Sequence, residues 1–597
     1  MRIGSNSQGP HPASIERPVQ HPEWDKPSPG GYVVSNHMIN EPPPNKPFRI
    51  IVMGAGAAGI DFLHFAPSAF AGLGVEYVCY DKNLDVGGTW YENRYPGCAC
   101  DVPSVGYTFP WKANPRWTSF YSTSQEIWAY MKEIVEEEGM MKHIQLRTEI
   151  KSAIWDEDKS KWVVKLSKSG TDASPTESFK GVIHHTAAYP EGLDLKGKRV
   201  AVIGSGSSGV QVVASIYPEV SKLYTWVRSP TWITAAFGQQ FAGENGRNFD
   251  YTESQKDAFA RDPKMYHRYK KMIETELNKR FRLVLRNTRE SDEANAFAYK
   301  EMATKLSPKT DLIDVIIPKD FNVACRRPTP GNGYLEALAG DKTEVFTQSI
   351  GGITEKGVID SATEQEYEVD VIICATGFDT SYRPRFPIVG LDPKVPLSVK
   401  WADHPSSYLG VGVDGFPNYV TYSGPSIPVA QGSVLPIISL LTKHFVELIQ
   451  KMRSQHIRRL SPKASAVRDF TEHSNTFMPR TCWADPCTSW FKQGTKDGPI
   501  IMWPGTRLAY FDVMKHPNFE DYDIEYWSGN RFGFLGTGFV DYEFTGSEDN
   551  AWYLDTLSDH KEWEKGVACG HDEDELKLVN KGQVPASAAS FLRNGTT

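Results

Sequence analysis

The chain has 597 residues, too many for one hydrophobic core and about three or four domains' worth of material. With 40% hydrophobic and 23% charged residues and a mean hydropathy of −0.42, its composition is ordinary for a soluble globular enzyme. The formal net charge of −8 argues against a nucleic-acid binder, and no run of about 20 apolar residues could span a bilayer.

In chain order, residues 1–47 are rich in Pro, Ser, Gly and Asn and read as an extended lead-in without the apolar core of a signal peptide. An intracellular, cytoplasmic protein is therefore expected. Structure starts at Phe48–Met53, a short apolar run that meets Gly54-Ala55-Gly56-Ala57-Ala58-Gly59. A second run, Val75–Tyr80, ends in Asp81. Lys161–Leu166 is strand-like, and the polar stretch Ser167–Ser178 reads as a loop. The opening grammar returns at Arg199–Ile203, closed by Gly204-Ser205-Gly206-Ser207-Ser208-Gly209, and the next strand, Leu223–Val227, ends in Arg228-Ser229. Charged, helix-forming residues fill about 240–320, a helical insertion. A third buried-strand pattern, 369–374, runs into Ala375-Thr376-Gly377, and Val434–Arg453 is a good helix. Apolar runs closed by glycines and followed by helices mark parallel sheets covered on both faces. The expected fold class is α/β, with two Rossmann-like dinucleotide-binding domains. Eight scattered cysteines lack both the density of a disulfide scaffold and the spacing of zinc ligands, so reduced thiols and no metal are expected.

Each G-x-G-x-x-G has a division of labour. The first glycine (Gly54, Gly204) permits the tight turn, and the second (Gly56, Gly206) lets a pyrophosphate approach the backbone. The third (Gly59, Gly209) lets the helix pack on the strand. Asp81 follows the first unit at the distance of a ribose-binding acid. The second unit carries Arg228-Ser229 instead, which suits a 2′-phosphate and hence NADPH. Two units in one chain imply two dinucleotides, with FAD and NADPH the economical pair. The first unit is the better FAD site, because Gly87-Gly88-Thr89-Trp90 follows its acid and can fold a loop close to the flavin.

Two further patterns carry a resemblance. Gly87, Gly88, Trp90, Tyr95, Pro96, Gly97 and Asp101 satisfy G-G-x-W-x-x-x-x-Y-P-G-x-x-x-D in full. Phe179, Gly181 and His185 match F-x-G-x-x-x-H, with Tyr189-Pro190 where the pattern has Trp-Pro. On these residues the chain resembles the Baeyer–Villiger monooxygenase family, its fungal steroid- or polyketide-type branch in particular, from about Arg49 to about Gly538. The resemblance implies that NADPH reduces the flavin and that one oxygen atom from O2 enters beside a ketone carbonyl, giving an ester or lactone. The ketone expected is bulky and apolar, of the kind met in secondary metabolism. The resemblance also assigns the catalytic roles to Arg327, in Arg326-Arg327-Pro328, and to Asp101, which would hydrogen-bond that arginine and hold its position. A guanidinium suits the task because it keeps its charge beside an anion. By the same resemblance Gly88, Thr89, Trp90, Asp101 and Tyr107 join Gly54, Gly56, Gly59 and Asp81 at the flavin. Gly204, Gly206, Ser207, Ser208, Gly209, Arg228, Ser229, Arg326 and Trp490 hold NADPH, Trp490 on a loop with Ser489. The domain boundaries implied are 48–180 and 375–597 for the FAD domain and C-terminal region, and 190–374 for the NADPH domain.

One departure from the family stands out. Relatives carry a hydrophobic strand and a Trp/Pro-rich loop just before the Phe179 pattern, and about 20–30 residues of that kind are absent between Leu166 and Phe179. A locally rebuilt sheet, a mis-spliced gene model and a repurposed flavoprotein all account for it. An amine- or thioether-oxidising flavin monooxygenase of the same fold is the nearest rival activity. A flavin disulfide reductase is disfavoured by the missing C-x-x-C.

Overall fold

Each glycine-closed apolar run forms a strand with parallel neighbours. The computed structural model describes residues 23, 26–43, 48–168, 179–234, 236–429, 431–545 and 550–557. Strand β1 (Phe48–Met53) leads through α1 (Ala57–Ala69) to β2 (Val75–Tyr80), and the two strands pair in parallel, Phe48 opposite Val75 and Met53 opposite Tyr80. After α2 (Thr89–Glu92) and α3 (Ser124–Glu137), β3 (Ile144–Gln145) completes a three-stranded sheet of order β1-β2-β3. Strands β4 (Thr148–Asp156) and β5 (Lys161–Lys168) form an antiparallel hairpin. Ser167 thus closes the hairpin rather than opening a loop, and residues 169–178 of the expected loop lie outside the described residues.

The second sheet starts with β6 (Val182–His185), the strand that carries the Phe179–His185 pattern. Then come β7 (Arg199–Ile203), α4 (Ser207–Ile216) and β8 (Lys222–Trp226), followed by the short β9 (Ile233–Thr234). The expected helical insertion consists of α5 (Glu253–Arg261), α6 (Pro263–Asn278), α7 (Arg289–Leu306) and α8 (Ile313–Ile316). Its helices start where the sequence supplies caps. Thr252 and Gln255 form a reciprocal capping box on α5, and Asp262 caps α6 ahead of Pro263 at its first position. The chain returns through β10 (Thr329–Pro330), which pairs in parallel with β9, and through α9 (Tyr334–Ala339) to β11 (Thr343–Phe346). An antiparallel meander, β12 (Ile350–Ile353), β13 (Gly357–Asp360) and β14 (Glu366–Glu368), precedes β15 (Val371–Cys374). The resulting parallel sheet has the order β11-β8-β7-β15-β6.

Beyond it, β16 (Ile388–Val389) joins β4, and α10 (Leu397–Lys400) precedes the long α11 (Leu435–Ser454). Strands β17 (Ile457–Pro462) and β18 (Tyr522–Tyr526) pair antiparallel. One large core packs α1, α3 and the first sheet with residues of α6 and α11, including Phe62, Ile134, Ile273 and Ile438. A second packs β7, α4, α7 and α9.

The sequence predicts β1 and β7 alike as buried strands, and the structure separates them. Val200, Ala201 and Val202 of β7 are fully buried, whereas in β1 Arg49 and Met53 are exposed and the other four residues only half-buried. The physical reason is pairing: β7 lies between β8 and β15, while β1 has β2 alone.

The contact pattern divides the chain into residues 42–533, which hold all of these elements, and a small unit made from both ends, 1–41 with 534–597. Within the small unit Ile39 bridges Val540 in parallel and the Thr537 N–H donates to the His37 carbonyl at 2.9 Å. Of the expected lead-in, only residue 23 and residues 26–43 are described.

Candidate active site

Both glycine turns are built as open cradles. Gly54 and Gly204 have φ of +99° and +118°, a region closed to side chains, which turns the chain from strand to helix. A Cβ on Gly59 would lie 2.2 Å from the Gly54 carbonyl oxygen, and one on Gly209 would lie 2.0 Å from that of Gly204, so both helices sit directly on their strands. Helices α1 and α4 begin at Gly56 and Gly206 with no side chain capping them. Their first N–H groups therefore remain available to a pyrophosphate, and both turns fit a dinucleotide. Asp81, buried at the end of β2, accepts a hydrogen bond from the Ala55 N–H and another from the Asn83 N–H, each at 2.7 Å. Its carboxylate thus organises the first turn.

The Gly87–Asp101 segment ties three things together. A Cβ on Gly88 would come within 3.0 Å of the Gly56 Cα, so this glycine pair rests on the first turn. Trp90, beside Thr89 at the start of α2, donates from Nε1 to the Tyr107 hydroxyl at 3.2 Å, and their rings meet edge to face. Further on, the Tyr95 hydroxyl donates to Gln211 Oε1 at 2.8 Å, and Gln211 Nε2 donates to the Ala99 carbonyl at 2.9 Å. Gly97 packs so closely on α4 that a Cβ there would lie 2.8 Å from the Gln211 carbonyl oxygen. One short stretch therefore touches the first glycine turn at one end and the helix of the second at the other.

Asp101 ends that stretch, and the structure brings it to Arg327, 226 residues away. Arg327 Nη2 donates to Asp101 Oδ1 at 2.7 Å, and Nη1 donates to Oδ2, a bidentate pair. Burial opposes the charge on Arg327, but the carboxylate of Asp101 outweighs it and holds the guanidinium pKa above its ordinary value. The guanidinium lies over the Phe237 ring, 5.2 Å from its centroid, and Arg280 of the insertion lies 4.4 Å from the same centroid. Tyr121 donates to the Phe237 carbonyl at 2.8 Å. Phe237, Arg280 and Tyr121 have no motif around them, and nothing in the sequence singles them out.

Around the second turn, Ser207 Oγ and Thr329 Oγ1 lie 3.5 Å apart, which places the segment after Arg327 against the start of α4, beside Ser208. The register of Ile203 opposite Trp226 puts the end of β8, and so exposed Arg228 and half-buried Ser229, beside Gly204. Arg326 lies over Phe321, and its buried Nε has no hydrogen-bond partner among the described residues. Burial lowers its pKa from the usual arginine value, so an anion such as a phosphate would relieve it.

Trp490 is half-buried in a small cluster with Phe281, Met478, Trp483, Phe491 and Met502, and the buried Ser489 accepts the Phe491 N–H at 3.2 Å. The expectation of reduced thiols is corrected here: Cys325 and Cys487 form a disulfide. They are 162 residues apart, and tertiary packing that spacing cannot reveal brings their loops together. Asp485 pins the same junction, accepting from Arg286 at 2.6 Å and from the Asn322 backbone and side chain at 2.9 and 2.7 Å. Cys79, Cys98, Cys100, Cys374 and Cys482 are free, and Cys569 lies outside the described residues.

His185 is structural in its contacts: its Nδ1 accepts the Ala187 N–H at 3.1 Å. Tyr189 is buried, which pushes its hydroxyl up to about 12.

Residues 52–124 match the family described as an NAD(P)-binding Rossmann-like domain. Over nearly its whole length the chain is 32% identical to the FAD-binding monooxygenase moxY of Dothistroma septosporum, covering 93% of this chain and 92% of that one. It is also 34% identical to the FAD-binding monooxygenase tazF of Aspergillus terreus, covering 85% and 95%. The chain belongs to the Baeyer–Villiger-type family of FAD-binding monooxygenases. The fold of these monooxygenases recurs in the closed crystal structure of cyclohexanone monooxygenase, at 25% identity and a TM-score of 0.68 over 82% of this chain and all of that one. The chain is thus a flavoprotein monooxygenase using FAD and NADPH, acting with O2 on a small molecule, and no helix among the described residues is long and apolar enough to cross a membrane. The two fungal monooxygenase alignments run over 586 and 539 positions, against about 555 and about 507 residues of this chain, so about 30 positions in each, summed along the alignment, stand opposite nothing here.

Proposed function

We propose that this monooxygenase inserts one oxygen atom beside the carbonyl of a bulky, apolar ketone, giving an ester or lactone. The observation that carries the reading is the bidentate Asp101–Arg327 pair, a permanently charged guanidinium held beside aromatic Phe237 between the two nucleotide cradles. FAD belongs to the first cradle, with Asp81 and the Gly88–Trp90 segment, in a domain formed by residues 48–180 and 375 onward. NADPH belongs to the second, within 190–374, where Ser207, Ser208, Arg228, Ser229 and the unsatisfied Arg326 favour a 2′-phosphate.

When bound, NADPH supplies hydride, and the flavin passes the electrons to O2. This chain's residues do the rest. Arg327 offers a fixed positive charge to the oxyanion that develops on the ketone oxygen. Asp101 holds that charge in place, and the aromatic surroundings exclude water. The disulfide-anchored segment that carries Trp490 closes the nicotinamide side.

The test is Arg327→Ala. That variant is expected to bind FAD and be reduced by NADPH, yet to form no ester from a panel of bulky ketones under ¹⁸O2. Substantial ¹⁸O-labelled ester from it would refute the assignment.

A further inference from the structure

The two nucleotide units of this chain are built alike, and the second shows what the first lacks. In the second, β7 has β8 on one side and β15 on the other, with Val371 opposite Val200 and Cys374 opposite Ile203. The strand β15 continues into Ala375, whose N–H donates to the Ile203 carbonyl at 2.9 Å. Its carbonyl oxygen would sit 2.3 Å from a Cβ on Gly204. In the first unit β1 corresponds to β7, β2 to β8 and β3 to β11, but nothing among the described residues corresponds to β15. A Cβ on Gly54 would meet no atom within 4 Å.

Beside this open edge lies a cavity of about 810 Å³. All six residues of β1 line it. One wall is the apolar face of α11 (Phe445, Leu448, Met452), and the opposite wall is the β4–β5 hairpin (Trp155, Trp162, Val164, Leu166). A six-residue strand is roughly 20 Å long, occupies about 4.8 Å along the hydrogen-bonding direction and about 10 Å between covering layers, or roughly 950 Å³. The space is roughly large enough for one strand. Half the backbone N–H and C=O groups of a parallel strand point away from any one neighbour, so β1 offers a row of them to this cavity. Exposed apolar side chains mark the same place: Met53 and Leu166, which both line the cavity, are each more than 40% accessible.

We propose that the cavity is a strand-acceptor site, which takes an extended apolar segment of another polypeptide in parallel with β1, by β-strand addition. The occupant resembles β15: about six apolar residues ending in small ones that abut Gly54. It comes from another chain because the segments of this one outside the described residues contain no run of four apolar residues. Residues 169–178, for example, read Ser-Gly-Thr-Asp-Ala-Ser-Pro-Thr-Glu-Ser.

The probe is a synthetic peptide with the sequence of residues 368–377, Cys374 replaced by Ser, added to the full-length protein. Trp155 and Trp162 line the cavity and report on it directly. Three of the chain's 16 tryptophans line the cavity, so the peptide is expected to reduce acrylamide quenching of tryptophan fluorescence by roughly a tenth and to raise Tm by about 2–4 °C at saturation. The Leu166→Glu variant, altered at an exposed wall position, should abolish both responses. Grafting the same strand between Lys168 and Phe179 with flexible linkers should raise Tm without added peptide. A peptide without effect at about 1 mM, together with a graft that leaves Tm unchanged, would overturn the proposal. So would a protein already dimeric, with these tryptophans shielded until dilution, because the occupant would then be a second copy. These readouts need neither substrate nor turnover, so they stand apart from the proposed reaction.

Discussion

Replacing Asp101 by Asn isolates what the carboxylate does for Arg327. The substitution keeps the shape and one acceptor but removes the charge that both guanidinium nitrogens now share, one of them at 2.7 Å. Two unit charges about 4 Å apart at an effective dielectric near 20 interact by about 4 kcal/mol. The Arg327 side chain is 27% accessible and that of Asp101 18%, so solvent screening brings the positional contribution to about 2 kcal/mol. A loss of that size in the oxygen-inserting step is roughly a 30-fold fall in kcat for ester formation. Reduction by NADPH does not draw on the pair and should stay within about threefold. The assay is stopped-flow flavin bleaching beside product analysis and hydrogen peroxide release under turnover. The expected pattern is normal bleaching, little ester and NADPH consumption diverted to hydrogen peroxide, with Asp101→Glu recovering part of the ester yield. Loss of charge on Arg327 is not the cause, because a guanidinium keeps its proton without a partner, and raising or lowering the pH should not rescue the variant. Ester formation by Asp101→Asn at half the parent rate, with coupling intact, would refute the positioning argument.

Three further outcomes follow from other sites. Arg326→Ala should lower the preference for NADPH over NADH by about 10- to 100-fold, the worth of a charge-assisted hydrogen bond; unchanged KM values for both nucleotides would remove Arg326 from the phosphate site. Cys487→Ser opens a loop of 162 residues and should cost about 2–5 kcal/mol of stability. Reductant should lower the parent's Tm but not the variant's, and thiol titration of the denatured, unreduced parent should find six thiols; a count of eight would contradict the disulfide. Asp61, fully buried on α1, has one carboxylate oxygen without a partner, and burial raises its pKa although Ser439 and Trp111 donate to the other oxygen. A raised folded-state pKa gives stability that is complete below the unfolded value near 3.8 and is lost as pH rises through the folded value. Asp61→Asn should therefore gain Tm over the parent at neutral pH, and the gain should shrink on acidification toward about pH 4; a difference independent of pH would sink this account.

What the sequence made legible is local. Strands β1, β2 and β7 could be read to the residue because an apolar run that ends in glycines or an acid marks both of its limits. The helix expected over Val434–Arg453 is shifted by one residue, to Leu435–Ser454. Asp101 and Arg327 were found by resemblance, since nothing in their own neighbourhoods announces a contact across 226 residues. What stayed hidden depends on packing between distant segments. Phe237 and Arg280 approach Arg327 only because the helical insertion folds back, and Cys325 meets Cys487 only because Asp485 gathers two loops. The half-exposed state of β1 was equally invisible, because a strand's composition records the neighbours it suits rather than those it has.

The Gly87–Asp101 segment explains why seven specified positions occur together. Hydride transfer and attack on a carbonyl both need reacting atoms within about 3–3.5 Å, so two nucleotide cradles must be held in register to within a fraction of that distance. Gly88 has room for no side chain against Gly56, which fixes one end of the segment to the first cradle. Tyr95 and Gly97 clamp its middle to Gln211 on the helix of the second, again with no room for a Cβ. Asp101 then reaches Arg327, which leads into the strand paired with β9 and the contact with Ser207. A substitution at Gly97 would therefore leave each cradle intact and shift one against the other. Its signature is ordinary affinity for both cofactors combined with slow hydride transfer, whereas a substitution at Gly88 would weaken the first cradle itself.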